Sequence, residues 1–280
     1  MYFKLKWIKK LFTLLQGSSN RLVIIVFTKL LYRPLHRASI KPRQRPIHHL
    51  AKHDKVQIDT LNIHIYQWGS SDKLILCLHG WESRSICFSE MIQPLLQDGY
   101  SIISFDMPGH GESDGFETTI FLCDQICAYL NERYGQFEAC IGHSLGCLCL
   151  FYTVKRTLKT KKIIMISPLA EFSYHFQYLC HKYKIKPHLR RVLAQKVESM
   201  LLPIENIWEK LSIQYESGLV TQPMLIVHDQ HDKIINISQA QKIFEVFTHQ
   251  AELLITSGYG HTRILSQTFV IEKIRLFISS

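Results

Sequence analysis

The stretch that decides the fold is Phe137-Glu138-Ala139-Cys140-Ile141-Gly142-His143-Ser144-Leu145-Gly146. Residues 137–141 form a mostly apolar run of strand length, the pattern of a strand buried on both faces. Residues 145–158 then have helical length. Between them lies GHSLG, with a serine flanked two residues away on each side by glycine. A serine that must stand clear of a sheet needs a tight turn from strand to helix. That turn crowds the positions two before and two after it, which Gly142 and Gly146 relieve. The helix from Leu145 aims its first amides and positive dipole end at any oxyanion forming beside Ser144.

Working outward, the same texture repeats. Apolar strand-like runs occur at 74–78, 101–105, 162–166, 224–227 and 252–255, and residues 56–68 alternate as one edge strand of an antiparallel pair. Helical lengths separate them at 85–98, 117–134, 236–248 and 266–278. Buried strands alternating with helices predict an α/β fold: a doubly wound, mostly parallel sheet flanked by helices. Residues 168–218 put about fifty residues between two strands, far more than one crossover requires, and predict an inserted helical cap. Its aromatic residues Phe172, Tyr174, Phe176, Tyr178 and Tyr183 either line an apolar acyl site or pack the cap onto the sheet.

In an open parallel sheet, reactive groups gather past the carboxyl ends of the strands. There the chain carries His79-Gly80-Trp81, Asp106-Met107-Pro108-Gly109-His110-Gly111-Glu112-Ser113, His228-Asp229-Gln230-His231-Asp232 and Ser257-Gly258-Tyr259-Gly260-His261. A serine hydroxyl needs a base, and the base an orienting acid. His261, on a loop past the last strand, is the expected base. Asp232 is the expected acid, with Asp229 as its rival. The backbone amides of Trp81 and Leu145 are the expected oxyanion donors. Asp106 is read as a loop-shaping residue, His143 as a packing and hydrogen-bonding one, and Cys147 and Cys149 as core. His228 and His231 beside Asp229 and Asp232 do not converge on an ion, and no metal or cofactor is expected.

These motifs, in this order and spacing, make residues 54–280 resemble the α/β-hydrolase fold family. The resemblance implies a Ser144–Asp232–His261 triad. It extends to bacterial hydrolases with a short basic N-terminal extension and an ending like Gly260-His261-Thr262-Arg263-Ile264-Leu265. The expected activity is cleavage of a carboxylic ester or thioester through an acyl-enzyme on Ser144, with a small-molecule acyl ester as substrate. An amidase, peptidase or acyltransferase would use the same triad, and a non-catalytic binding protein would keep the same fold.

Composition bounds the rest. With 280 residues, 46% hydrophobic and 20% charged, the chain has the make-up of a globular protein and not of a disordered chain or coiled coil. The net charge of +10 is unevenly placed: residues 1–53 hold twelve Lys or Arg and no Asp or Glu, leaving 21 basic and 23 acidic residues over 54–280. A neutral body with a basic leading segment argues against a nucleic-acid partner. Residues 2–15 read as an amphipathic helix and 22–32 as a second apolar helix, while 33–49, with Pro34, Pro42 and Pro46, has linker composition. An anionic membrane surface is the expected partner of residues 1–32, with docking on the body or a dimer contact as alternatives. The eight cysteines lack CxxC spacing and read as small buried hydrophobes of a reducing compartment. With no secretory signal pattern, this predicts a cytoplasmic protein, peripheral on the inner face of the membrane.

Overall fold

A computed structural model describes residues 2–202 and 204–280, with the side chains of Tyr2–Lys6 outside that description. The expected contributions of Phe3, Lys4, Leu5 and Lys6 to the first helix therefore lie outside the described residues. Eight strands form one sheet: β1 (Lys52–Ile58), β2 (Leu61–Trp68), β3 (Leu74–Leu78), β4 (Ser101–Phe105), β5 (Ala139–His143), β6 (Ile163–Ile166), β7 (Met224–Asp229) and β8 (Ala251–Thr256). Their order is β1-β2-β4-β3-β5-β6-β7-β8. β2 runs antiparallel to both β1 and β4, and every later pair is parallel.

The alternating stretch 56–68, expected as one strand, is a hairpin. Ile58 pairs with Leu61 and Lys52 with Gln67, so the chain reverses at Asp59-Thr60. Asp59 takes a left-handed φ of 50° there. Aspartate tolerates that region because its short side chain bonds locally, yet Asp-Thr lacks the glycine that usually marks a two-residue turn.

β3 and β4 are buried along their whole length. Their alternate residues divide between the two faces of the sheet, as a period of two demands. Leu74, Leu76 and Leu78 join the core on one face, and Ile75 and Cys77 the core on the other. The first core is built with α5 (Ile120–Tyr134) and α6 (Leu145–Val154), the second with α4 (Ser89–Gln97) and α12 (Thr268–Ser279). All eight cysteines are free thiols, seven of them buried.

The cap lies between β6 and β7 and comprises α7 (Phe172–Lys182), α8 (Pro187–Met200) and α9 (Ile207–Lys210). The leading segment sits on it. α1 (Tyr2–Ser18) and α2 (Asn20–Tyr32) form a helical hairpin whose break is capped by Ser19, its hydroxyl accepting from the Leu22 amide. Phe12 stacks on Tyr183 of the cap at 5.0 Å, and Phe27 meets Phe176 edge-on at 5.4 Å. Among the described residues no helix is long and apolar enough to cross a membrane.

Residues 33–49 differ from the expected linker. They contain α3 (Arg45–His49), and their polar groups are tied to the body. The Arg37 guanidinium donates to the carbonyls of His110 at 3.1 Å, Gly111 at 3.0 Å and Gly115 at 2.8 Å. Trp68 Nε1 donates to the Ile47 carbonyl at 2.7 Å. Proline and basic residues suit a linker, but their backbone and side-chain groups also serve a segment bonded to loops rather than to a sheet.

Candidate active site

Ser144 stands at the turn from β5 into α6 with φ 57° and ψ −122°. A non-glycine residue in that region is strained, and such strain collects where packing over-determines the backbone. A Cβ built on Gly146 would lie 2.3 Å from the Leu78 carbonyl oxygen, and one on Gly142 would lie 2.8 Å from the Cys147 Cα. Both glycines are needed for α6 to leave the sheet this steeply. Gly80 has the same status: its Cβ would come within 2.8 Å of the Ser144 Cβ. Nothing in the chain near Gly80 reports this role, and only the closeness of β3 to the elbow reveals it.

Three side chains from three loops meet at this turn. His261 Nε2 is 3.1 Å from Ser144 Oγ, and His261 Nδ1 is 2.6 Å from Asp232 Oδ2. An ionised Asp232 carboxylate only accepts, so Nδ1 carries the proton and Nε2 is left to accept from the hydroxyl. The Asp232 side chain is inaccessible to solvent. Burial pushes its carboxyl up, but the His261 hydrogen bond and charge, with the Ile234 and Ile235 amides, bring it below the usual carboxylate value. Those amides donate to Oδ1 at 2.7 and 3.0 Å, which fixes the carboxylate's orientation.

The rival acid is elsewhere. Asp229 is wholly buried and accepts from the amides of His231 and Tyr259 and from the Thr256 hydroxyl. It fastens the end of β7 to the loop that carries His261. His143 Nε2 donates to the His261 carbonyl at 2.9 Å, the bonding role expected of it. Burial, then the neighbouring His261, lowers the His143 imidazole to about 3. His228 donates from Nε2 to the Ile235 carbonyl at 3.0 Å, behind Asp232. His231 is exposed.

The loop after β3 is braced from below. His79 Nε2 accepts from the Met107 amide at 2.9 Å, so its Nδ1–H is the donor to the Gly80 carbonyl at 2.8 Å. His110 Nε2 accepts from the Glu82 amide at 3.0 Å. Asp106 accepts from the Ser85 amide and hydroxyl, the Glu112 amide and the Tyr66 hydroxyl. Its buried carboxylate thus ties two loops and β2 together. Arg37, bonded to the same 106–115 loop, is a support that sequence reading missed, because nothing near it in the chain reports where a long side chain lands.

Trp81 and Leu145 line a small, largely apolar cavity, together with Leu31, Tyr32, Phe172 and His175. Its open space is about 20 Å³. Tyr32 Oη and His175 Nε2 are buried there without a hydrogen-bond partner. Cys147 and Cys149 are buried in the core, and burial raises the Cys147 thiol. Among the described residues one group of metal-type donors comes together, His53, His64 and Glu112. Arg84 already occupies Glu112 Oε1 at 2.9 Å, and none of the three belongs to the Ser144 constellation.

The family profile described as the alpha/beta hydrolase fold matches residues 73–189. A probable serine hydrolase of Drosophila melanogaster is 34% identical over 108 residues, covering 35% of this chain and 32% of that protein. The chain spans about a quarter to a half of the length of this and other curated relatives it matches. Two solved structures share the fold more widely. An esterase of Pyrococcus furiosus, Pf2001, covers 89% of this chain and 97% of its own, with TM-score 0.65 and 19% identity. A bacterial membrane phospholipase A covers 95% and 96%, with TM-score 0.63 and 17% identity. With a sheet of this order, a serine at this turn and these likenesses, the chain has the α/β-hydrolase fold.

Proposed function

We propose that this protein is a serine hydrolase that cleaves carboxylic ester or thioester bonds. The observation that carries the reading is the unbroken series Ser144 Oγ, His261 and Asp232, at 3.1 and 2.6 Å. Ser144 Oγ attacks the acyl carbon while its proton passes to His261 Nε2. Asp232 holds Nδ1–H and offsets the charge of the imidazolium. The amides of Trp81 and Leu145 receive the oxyanion of the tetrahedral intermediate. His261 then returns the proton to the departing alkoxide or thiolate, and an acyl ester remains on Ser144. Water attacks that ester with His261 as base, releasing the acid and restoring the serine. Water and ester are consumed, acid and alcohol or thiol are formed, and the chemistry needs no redox partner.

Asp232 is supported as the acid by its 2.6 Å approach to His261 Nδ1, whereas Asp229 accepts from His231, Thr256 and Tyr259. Names among the structural relatives, an esterase, a membrane phospholipase A and a thioesterase domain, support acyl transfer to water as the reaction class. An anionic membrane surface for residues 1–32 and a cytoplasmic, peripheral location belong to the same reading, supported by the basic leading segment and eight free thiols. The test is labelling by a fluorophosphonate probe and hydrolysis of p-nitrophenyl esters from acetyl to palmitoyl. Both are expected in the native protein and lost in Ser144→Ala. Equal behaviour of the two proteins would leave the fold without this chemistry.

A further inference from the structure

The N-terminal hairpin has two apolar sides, and the cap covers one of them. At about 100° per residue, Ile8, Phe12 and Leu15 share one side of α1, while Trp7, Leu11 and Leu14 share the adjacent one. The first set packs inward, with Phe12 fully buried. The second faces water, with Trp7 and Leu14 each 63% exposed. α2 repeats the division. Val23, Phe27 and Leu31 are buried, while Leu22 and Ile25 are exposed. The broad apolar face expected from the sequence is thus wider than one partner can cover, and docking on the cap uses half of it.

Five large apolar side chains left in water on two adjoining helices exceed the scattered singles of an ordinary surface. Around them Lys9, Lys10, Arg21 and Lys29 are exposed, and no acidic residue occurs in residues 1–53. An apolar strip whose own segment carries cations and no acid is complementary to a surface that is oily within and negative at its rim. An interfacial helix lies in such a surface with its apolar side sunk among acyl chains.

The inner side of the same hairpin reaches the candidate site. Leu31 and Tyr32 of α2 wall the cavity beside Trp81 and Leu145, and Phe172, His175 and Leu201 of the cap close it. Its 20 Å³ is about the room of a single water. An extended acyl chain enters only if α2 and the cap helices part.

We propose that the exposed side of the α1–α2 hairpin docks on an anionic lipid surface, and that the substrate is an acyl ester of a membrane lipid, drawn from that surface into the cavity beneath α2. The substrate class rests on the acyl-hydrolase reading of Ser144; the docking does not. One structural element then serves both purposes. Lipid contact on its outer side loosens the element that closes the acyl site on its inner side.

The experiment floats full-length protein with vesicles of phosphatidylcholine alone or of three parts phosphatidylcholine to one of phosphatidylglycerol. Binding is expected only to the anionic vesicles and is reversed by high salt. The variant Trp7→Ser/Leu11→Ser/Leu14→Ser is expected to bind at least about tenfold more weakly, because each large apolar side chain contributes over 1 kcal/mol and tenfold is 1.4 kcal/mol. Lys9→Glu/Lys10→Glu, which alters only exposed side chains, is expected to weaken binding without touching the core. Both variants should keep wild-type fluorophosphonate labelling and p-nitrophenyl acetate hydrolysis in solution. Palmitoyl-ester hydrolysis should rise on anionic vesicles for the native protein and not for the triple variant.

Native protein left in the lower fraction with anionic vesicles at low salt would overturn the docking. So would a triple variant that floats as well as the native chain, or a concentration-dependent dimer lost in that variant without flotation. Flotation with no labelling of Ser144 would overturn the hydrolase reading and leave the surface standing. Flotation with labelling, but palmitoyl-ester hydrolysis indifferent to vesicles, would overturn the substrate class.

Discussion

Replacing Gly146 by alanine tests how the serine is held. The added Cβ would sit 2.3 Å from the Leu78 carbonyl oxygen and 2.6 Å from that of His79. Both neighbours are main chain at the end of β3, so no flexible side chain can swing aside. Ordinary C···O contact is about 3.3 Å, so α6 must withdraw from β3 by about 1 Å. Ser144 lies two residues before the insertion, and its 3.1 Å approach to His261 Nε2 would stretch beyond hydrogen-bond range. Misplacement of about 1 Å costs about a hundredfold in rate, and overpacking of this kind about 1–3 kcal/mol in stability. The assay is the second-order rate of fluorophosphonate labelling, with a urea midpoint on the same samples. Gly17→Ala is the control: it lies near the exposed end of α1 with nothing within 4 Å of its Cβ. Helix propensity there favours alanine by up to about 1 kcal/mol, and labelling should not change. Labelling of Gly146→Ala within about threefold of wild type, with unchanged stability, would refute the argument that close backbone packing sets the hydroxyl against the imidazole.

Asp232→Asn should lower esterase kcat by about 10⁴, since an amide favours the wrong imidazole tautomer, while the melting behaviour changes little. Asp229→Asn should do the reverse. It keeps most activity but loses about 2–3 kcal/mol in denaturant titration, because its carboxylate collects three donors in the dry interior. Stability should also fall on acidification well above the carboxylate range. Burial, with neighbouring histidines, lowers His110 and His143 to about 3, against about 6.5 in the unfolded chain. As pH falls through 6.5 the unfolded chain takes up protons that the native one refuses, so stability is lost progressively from there towards about pH 3. At pH 5 each imidazole costs about 2 kcal/mol, and paired urea titrations at pH 7 and pH 5 should differ by about twice that. An unchanged midpoint would mean that these rings are protonated in the native state.

Much of the candidate site was legible because its residues follow strands whose apolar runs are unmistakable. GHSLG is local: both glycines, the serine and the helix amides are neighbours in the chain, and their mutual crowding follows from the turn itself. His261 and Asp232 were readable by order past successive strands, since a parallel sheet returns every strand end to the same rim. Choosing Asp232 over Asp229 rested on where the chain has finished turning. The structure shows the difference as bonding: Asp229 is spent on three donors of the neighbouring strand and loop, whereas Asp232 keeps one oxygen for Nδ1. The hairpin at Asp59-Thr60 was missed because its turn lacks a glycine signal while the alternation on each side of it runs on without a break.

Periodicity and motif therefore determined the sheet, the place of the helices inserted between β6 and β7 and the three side chains of the candidate triad, because each depends on contacts within a strand, a turn or a repeating unit. Tertiary structure alone decided what the leading residues touch. Arg37 finds its carbonyl partners more than seventy positions away, Phe12 finds Tyr183, and Tyr32 becomes a wall of the cavity lined by Trp81 and Leu145. A helix's apolar stripe states how much surface wants cover. Which half the cap covers, and which half is left for another partner, is set by the shape of a surface assembled from residues far away along the chain.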